Sequence, residues 1–421
     1  MKIVRVEGRE ILDSRGMPTL ECSLELSRGT VVRASVPSGA SVGKYEALEL
    51  RDTTSLRYAG KGVLEAKNNL ELKIAPLLIG KTPDFIRLDE HIIDLDGTEN
   101  KRNLGANATL AASIAVVRAQ AVMQECEPFQ LIAQHMDIIT PVIPRCMFNL
   151  LNGGMHVDNG MRFQEFMVMP VGAVSFEQYL HDVTMVYQVL KKKLAQEDYT
   201  TGLGDEGGFA PLFTGKGIIR ERMALDFLMR AIVDAGFDYE YMKICLDVAA
   251  SCFYDEASSC YNLGGDIFSS EELVALYQDL VKNYPIYSIE DGMSQDDWYG
   301  WQMLTQSLGD KIQLVGDDLF VTNLSKIEKG ISLGAANAVL IKPNQIGTVS
   351  EAIQAIKLGN KAGFITVVSH RSGETSDDFV ADFAVGAGAD QFKSGACARG
   401  ERVAKYNRLL EIEELLKKSN P

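Results

Sequence analysis

The 421-residue chain is poor in tryptophan, with two, and in histidine, with five. No H-E-x-x-H or comparable histidine spacing occurs, which argues against a zinc site. The seven cysteines are odd in number, form no C-x-x-C pair and mostly lie in apolar runs, so buried free thiols are expected rather than a disulfide framework. Basic charge is also short: 42 Lys and Arg oppose 57 Asp and Glu, a formal charge of -15. Such a surface repels a phosphate backbone or an anionic bilayer, so direct nucleic-acid binding is not expected. No run approaches the roughly 18 apolar residues of a membrane span. The opening MKIVRVEGRE carries charges where a secretory signal needs an apolar core, so a cytoplasmic protein is the expectation. An anionic substrate would need a local reversal of the acidic field, for which a divalent cation is the simplest means.

What is present divides into two kinds of pattern. Residues 3 to 36 alternate apolar and polar side chains in three runs, with Ser27-Arg28-Gly29 between the last two, and predict an antiparallel meander. Helical patterns follow, up to a long segment from Leu104 to Cys126. Pro141 and Pro144 then interrupt helix formation, which places a smaller α+β domain at 1–136 and a second domain at 137–421. The second domain repeats a short apolar strand, a polar residue at its end and a helix. Two helices open with capping boxes, Ser269 to Glu272 and Thr348 to Glu351. Repeated βα units call for parallel strands and right-handed crossovers.

The polar residues ending those strands are Asp247, Glu290, Asp317, Lys342, His370 and Lys393, at intervals of 23 to 43 residues. In a (β/α)8-type barrel such ends converge on one mouth, where active sites are built. Three carboxylates there, Asp247, Glu290 and Asp317, describe a hard oxygen site for magnesium or manganese, because unpaired acids sharing a mouth repel one another unless a cation lies between them. A lysine flush with a strand end beside a cation has its ammonium destabilised, which makes Lys342 a candidate base. His370, Arg371 and Ser372 form a donor cluster fit for a phosphate or carboxylate. Gly202, Gly204 and Gly207 spell G-x-G-x-x-G, but Phe209-Ala210-Pro211 breaks any helix there and Asp205-Glu206 would oppose a pyrophosphate, so a dinucleotide site is rejected. A glycine-braced acid, Glu206, remains as a candidate general acid.

Taken in order, PSGAS, DLDGTEN, LNGGMH, QEF, GDEGG, SIEDG, LVGDDLFVTN, LIKPNQIGT, SHRSGET and RVAKYN resemble enolase over nearly the whole chain, from Arg9 to Glu414. The resemblance implies reversible dehydration of 2-phosphoglycerate to phosphoenolpyruvate in glycolysis, with two magnesium ions per site. By position it implies that Asp247, Glu290 and Asp317 hold the first ion, that Lys342 takes the proton from C2, and that Glu206 protonates the departing hydroxyl. His156, Gln164, Glu165, Lys342, His370, Arg371, Ser372 and Lys393 would surround the substrate, and Ser41 would join the second ion from a closing loop. Those roles require the pKa values of Lys342 and Glu206 to be pushed toward each other. A homodimer or larger symmetric assembly is implied by the family alone. Val42, the PLFTGKG segment after GDEGGFA, and GACARGER depart from the family's usual pattern. Another acid dehydratase of the superfamily, or a binding role on the same fold at a cell surface or in an RNA-decay assembly, are the other readings.

Overall fold

The computed structural model describes residues 1–39, 43–172 and 175–419. The meander forms as expected: β1 (Ile3–Leu12), β2 (Pro18–Leu26) and β3 (Val31–Ser35) pair antiparallel, with Gly8 opposite Cys22 and Cys22 opposite Ala34. Gly29 turns between β2 and β3 at φ +84, a conformation that other residues seldom adopt. The face carrying Leu20, Cys22 and Leu24 is fully buried. Against it packs the helix Ala106–Gln124, whose buried Ala108, Ala111, Ala112 and Ala115 let the backbones approach closely. This helix is long and apolar enough to cross a membrane by length and composition, which corrects the reading that no such run exists. Here it is a core helix, with 83% of that window buried inside the protein.

The second half builds a closed ring of eight strands: β4 (Arg145–Asn152), β5 (Glu165–Pro170), β6 (Met242–Asp247), β10 (Ile286–Glu290), β11 (Gln313–Gly316), β12 (Ala338–Ile341), β13 (Ile365–Ser369) and β14 (Gln391–Lys393). Between β6 and β10 the chain adds a small three-stranded sheet, β7 (Tyr254–Asp255), β8 (Cys260–Leu263) and β9 (Asp266–Phe268). The barrel is as expected, but the expectation of uniformly parallel strands is not met. β5 runs antiparallel to both β4 and β6, with Asn152 opposite Glu165 and Glu165 opposite Asp247. A fully buried run such as EFMVMP reads the same in either direction, so its sequence carries no sign of the reversal.

Inside the ring, Met147, Met167, Cys245, Val315, Leu340 and Val367 form a cluster separate from the main core. Gln313 and Gln391 exchange amide hydrogen bonds of 3.0 and 2.8 Å. The Ser269 capping box forms in both directions. At Thr348 only half forms, because the Glu351 carboxylate turns to the Thr348 hydroxyl and to the buried ammonium of Lys101 at 2.7 Å. All seven cysteines are free; Cys22, Cys146 and Cys245 are buried, and Cys252 is exposed.

Candidate active site

The strands end in one mouth because parallel neighbours put equivalent residues side by side: Glu290 lies beside Asp247, and Ser369 beside Lys393. The reversed β5 reaches the same mouth with its first residue, Glu165. A cleft of about 280 Å³ opens there, and its walls include His156, Gln164, Glu165, Glu206, Asp247, Lys342, His370, Arg371, Ser372 and Lys393. Glu290 and Asp317 are buried at its edge. Ser41 and Val42 lie outside the described residues.

The charges are arranged around two lysines. Lys393 Nζ sits 2.9 Å from Glu290, 3.1 Å from Glu165 and 3.5 Å from Asp247, so one ammonium faces three carboxylates. Lys342 pairs with Asp317, whose other oxygen accepts from Gln345 Nε2 at 2.9 Å. The acid that follows Glu290 acts on the backbone instead. Asp291 accepts from the amides of Asp317 and Asp318 at 2.9 and 2.8 Å and so fixes the end of β11. Burial, and then repulsion from Asp247, drives the Glu290 carboxyl well above the ordinary carboxylate range, with Lys393 opposing. Burial and Asp317 push Asp318 up to about 7.

These donors suit a hard divalent cation. They are nearly all oxygen, they repel one another, and Gln164 Oε1 is buried without a partner. Among the described residues, the acidic groups whose ligand atoms lie within 4.8 Å of one another are Asp291 with Asp317 and Asp318, and Glu165 and Glu206 with His156. The triad Asp247, Glu290 and Asp317 shares the mouth but is divided between the two lysines.

Glu206 stands on a tight turn where no helix begins; the next starts at Ile218. Gly207 holds φ +86, and a Cβ there would meet the Ala398 carbonyl at 2.8 Å. Both Glu206 oxygens face imidazoles, His156 Nε2 and His370 Nε2, each at 3.4 Å, and Oε2 also accepts from Asn149 Nδ2 at 3.1 Å. Burial alone would raise the Glu206 carboxyl, but His370, His156 and Arg402 outweigh it and hold the group well below the usual range. For Lys342, burial disfavours the ammonium, and Asp317 outweighs that and raises its pKa. The expectation that these two values approach each other is therefore corrected. The sequence reading left Asp317 to a cation and did not see the imidazoles around Glu206.

Arg402, in the quoted RVAKYN, and Glu46, just after PSGAS, carry no role that the sequence pattern suggests. Arg402, wholly buried, donates Nη1 to His370 Nδ1 and to the Arg371 carbonyl, and Nη2 to the carbonyls of Asp205 and Ser372. A guanidinium only donates, so Nδ1 of His370 accepts and its proton is on Nε2, toward Glu206. Burial lowers the His370 pKa, with Glu206 opposing. Glu46 forms a two-pronged pair with Arg371 at 2.7 and 3.2 Å and also accepts from Gly43 N at 2.9 Å. No local signal links Glu46 to Arg371, which lie 325 positions apart. Their pairing, with the Ser38–Gly373 bridge, brings the first domain's loop to the mouth.

A barrel whose mouth gathers carboxylates, two buried lysines and an acid between imidazoles has a built acid–base site at the strand ends, where barrel enzymes carry their chemistry. Residues 3–132 match the family description "Enolase, N-terminal domain", and residues 140–420 match "Enolase, C-terminal TIM barrel domain". A curated protein named Enolase, from a Nitratiruptor species, is 49% identical over 415 residues, covering 98% of this chain and 96% of that relative. The chain belongs to the enolase family, and with it to the hydro-lyases.

Proposed function

We propose that this protein catalyses the magnesium-dependent, reversible dehydration of 2-phospho-D-glycerate to phosphoenolpyruvate in glycolysis and gluconeogenesis. The observation that carries this reading is the placement of Lys342 and Glu206 in one cleft together with the anion-binding set His370, Arg371, Ser372 and Lys393. Asp247, Glu290 and Asp317 would hold one magnesium ion, and Ser41 would join a second that arrives with substrate. Bound there, the ions supply fixed positive charge beside the substrate carboxylate, where negative charge accumulates.

Lys342 receives the proton from C2, which leaves the carboxylate carrying the electron pair until the C3–O bond breaks. Glu206 gives its proton to the departing hydroxyl, so that water leaves. Glu206, held well below the usual carboxyl range by its neighbours, must first gain that proton, against the pull of His156 beside it. Burial disfavours protonation of His156, but Glu206 and Glu165 outweigh this and raise its pKa. Lys342 must likewise part with a proton, held now by its pairing with Asp317, before it can act as base. Gln164 and Glu165 line the substrate, and Lys393 neutralises the acids beneath it.

The test is an ultraviolet assay for enol-phosphate formation from 2-phosphoglycerate, with and without magnesium. Folded protein that shows no metal-dependent activity refutes the reading. We further assign residues 1–136 and 137–421 as the two domains, and infer a cytoplasmic homodimer or larger symmetric assembly, to be checked by sedimentation.

A further inference from the structure

The segment from Gly153 to Gln164 joins β4 to β5 across the mouth and carries His156. Two consecutive side chains near the start of the helix Ile218–Asp234, outside the ring, hold it in place. Glu221, fully buried, accepts from the backbone amides of Arg162 at 2.6 Å and Phe163 at 3.3 Å. Arg220 donates Nη1 to the Gly160 carbonyl at 2.9 Å and Nε to the Phe213 carbonyl at 3.2 Å. Gly160 sits at φ +76, and a Cβ there would lie 1.9 Å from Arg220 Nη1. Only glycine combines that backbone conformation with so close an approach.

The same helix start is itself anchored. Asp266 Oδ2 accepts from Ile218 N at 3.2 Å, and a Cβ on Gly217 would lie 2.0 Å from that oxygen. Three separate stretches, 153–164, 211–217 and the β8–β9 turn, therefore meet at one point. Neither Arg220 nor Glu221 lines the cleft.

We propose that Arg220 and Glu221 are positioning residues for the dehydration: they fix the 153–164 segment so that His156 stays against Glu206. The inference rests on the reaction proposed above. A single carboxylate receiving two successive amides sets both peptide planes, and Gln164 and Glu165 follow directly. A displacement of about 1 Å at such a point is enough to cost on the order of a hundredfold in rate. Arg371, Ser372 and Lys393 stand on other strand ends, so the clamp sets the substrate contacts of Gln164 and Glu165 but not those of the cationic side.

The experiment measures kcat, KM and amide hydrogen exchange on the full chain with magnesium. Glu221→Ala is expected to lower kcat by about tenfold or more with KM changed by less than about threefold, and to speed exchange at 160–163. Glu221→Gln, which keeps an acceptor oxygen, is expected to recover most of that loss. A residue acting on stability alone would lower the thermal midpoint and leave kcat per folded molecule unchanged, and that result overturns the proposal. Should Glu221→Ala fail to fold, Arg220→Met decides by the same split, because Arg220 is only half-buried and Glu221 keeps its two backbone amides. A parent protein without turnover refutes the reaction and not the clamp; unchanged exchange at 160–163 refutes the clamp whatever the parent does.

Discussion

Replacing Asp89 with asparagine should make the protein more stable, and by an amount that depends on pH. Asp89 is fully buried on the helix Phe85–Asp96, where its Oδ2 accepts from Ser113 Oγ at 2.9 Å and from Ser350 N at 3.0 Å. Its Oδ1 has no partner, and Glu351 is a like charge nearby. Burial, opposed by those hydrogen bonds, raises its pKa from 3.8 to about 7. A carboxyl whose pKa is higher folded than unfolded gives its full stability below the unfolded value and loses it as pH rises toward the folded one. Three pH units at about 1.4 kcal/mol each amount to a ceiling of about 4 kcal/mol lost between pH 4 and 7. Asparagine keeps the acceptor for Ser113 and Ser350 and carries no charge. Asp89→Asn should therefore gain up to about 4 kcal/mol at pH 8 and up to about 1 kcal/mol at pH 4.5, less the cost of burying its unpartnered Nδ2, measured by denaturant unfolding at the two pH values. Glu221, also raised to about 7, continues to titrate in the variant, so its pH slope shrinks without vanishing. A gain of equal size at both pH values would show that packing, not the buried charge, is responsible. A loss at pH 8 would refute the reasoning outright.

Lys342→Ala should abolish exchange of the C2 proton of 2-phosphoglycerate with solvent, whereas Glu206→Gln should keep exchange and lose dehydration; equal loss of both in Glu206→Gln counts against the assigned roles. Arg402→Lys cannot reach His370 Nδ1 and three carbonyls at once, so kcat should fall on the order of a hundredfold in steady-state assays, and an unchanged kcat would remove Arg402 from the site. Chelation should eliminate turnover and lower the thermal midpoint, with magnesium restoring both; a cation at a hundred times its Kd adds about 2.7 kcal/mol. A midpoint indifferent to magnesium would show that the carboxylates of the mouth do not hold it.

The barrel was legible because a strand-end polar residue recurs at βα spacing, and in a closed ring that register can only converge. The meander was legible from alternation and from Gly29. The reversal of β5 was not, since a strand buried on both faces has no polar side to show its direction. Glu46 and Arg402 were invisible for another reason: each acts through a partner far away in the chain, and neither stands at a strand end. The pairing of Lys342 with Asp317 and the imidazoles around Glu206 were not legible, because the sequence does not say which opposite charge lies nearest.

The pairings of the ring join strands at very different distances along the chain. β4 and β5 form a hairpin whose closing residues, Asn152 and Glu165, are near neighbours in the chain, so this half of the mouth can organise early. The ring closes where β14 pairs with β4, Gln391 against Arg145, far apart in the chain. β14 is also the strand that ends in Lys393, the counter-charge shared by Glu165, Asp247 and Glu290. During synthesis those three acids emerge from the ribosome well before the lysine that balances them. The strand that closes the ring is therefore also the one that neutralises these three acids.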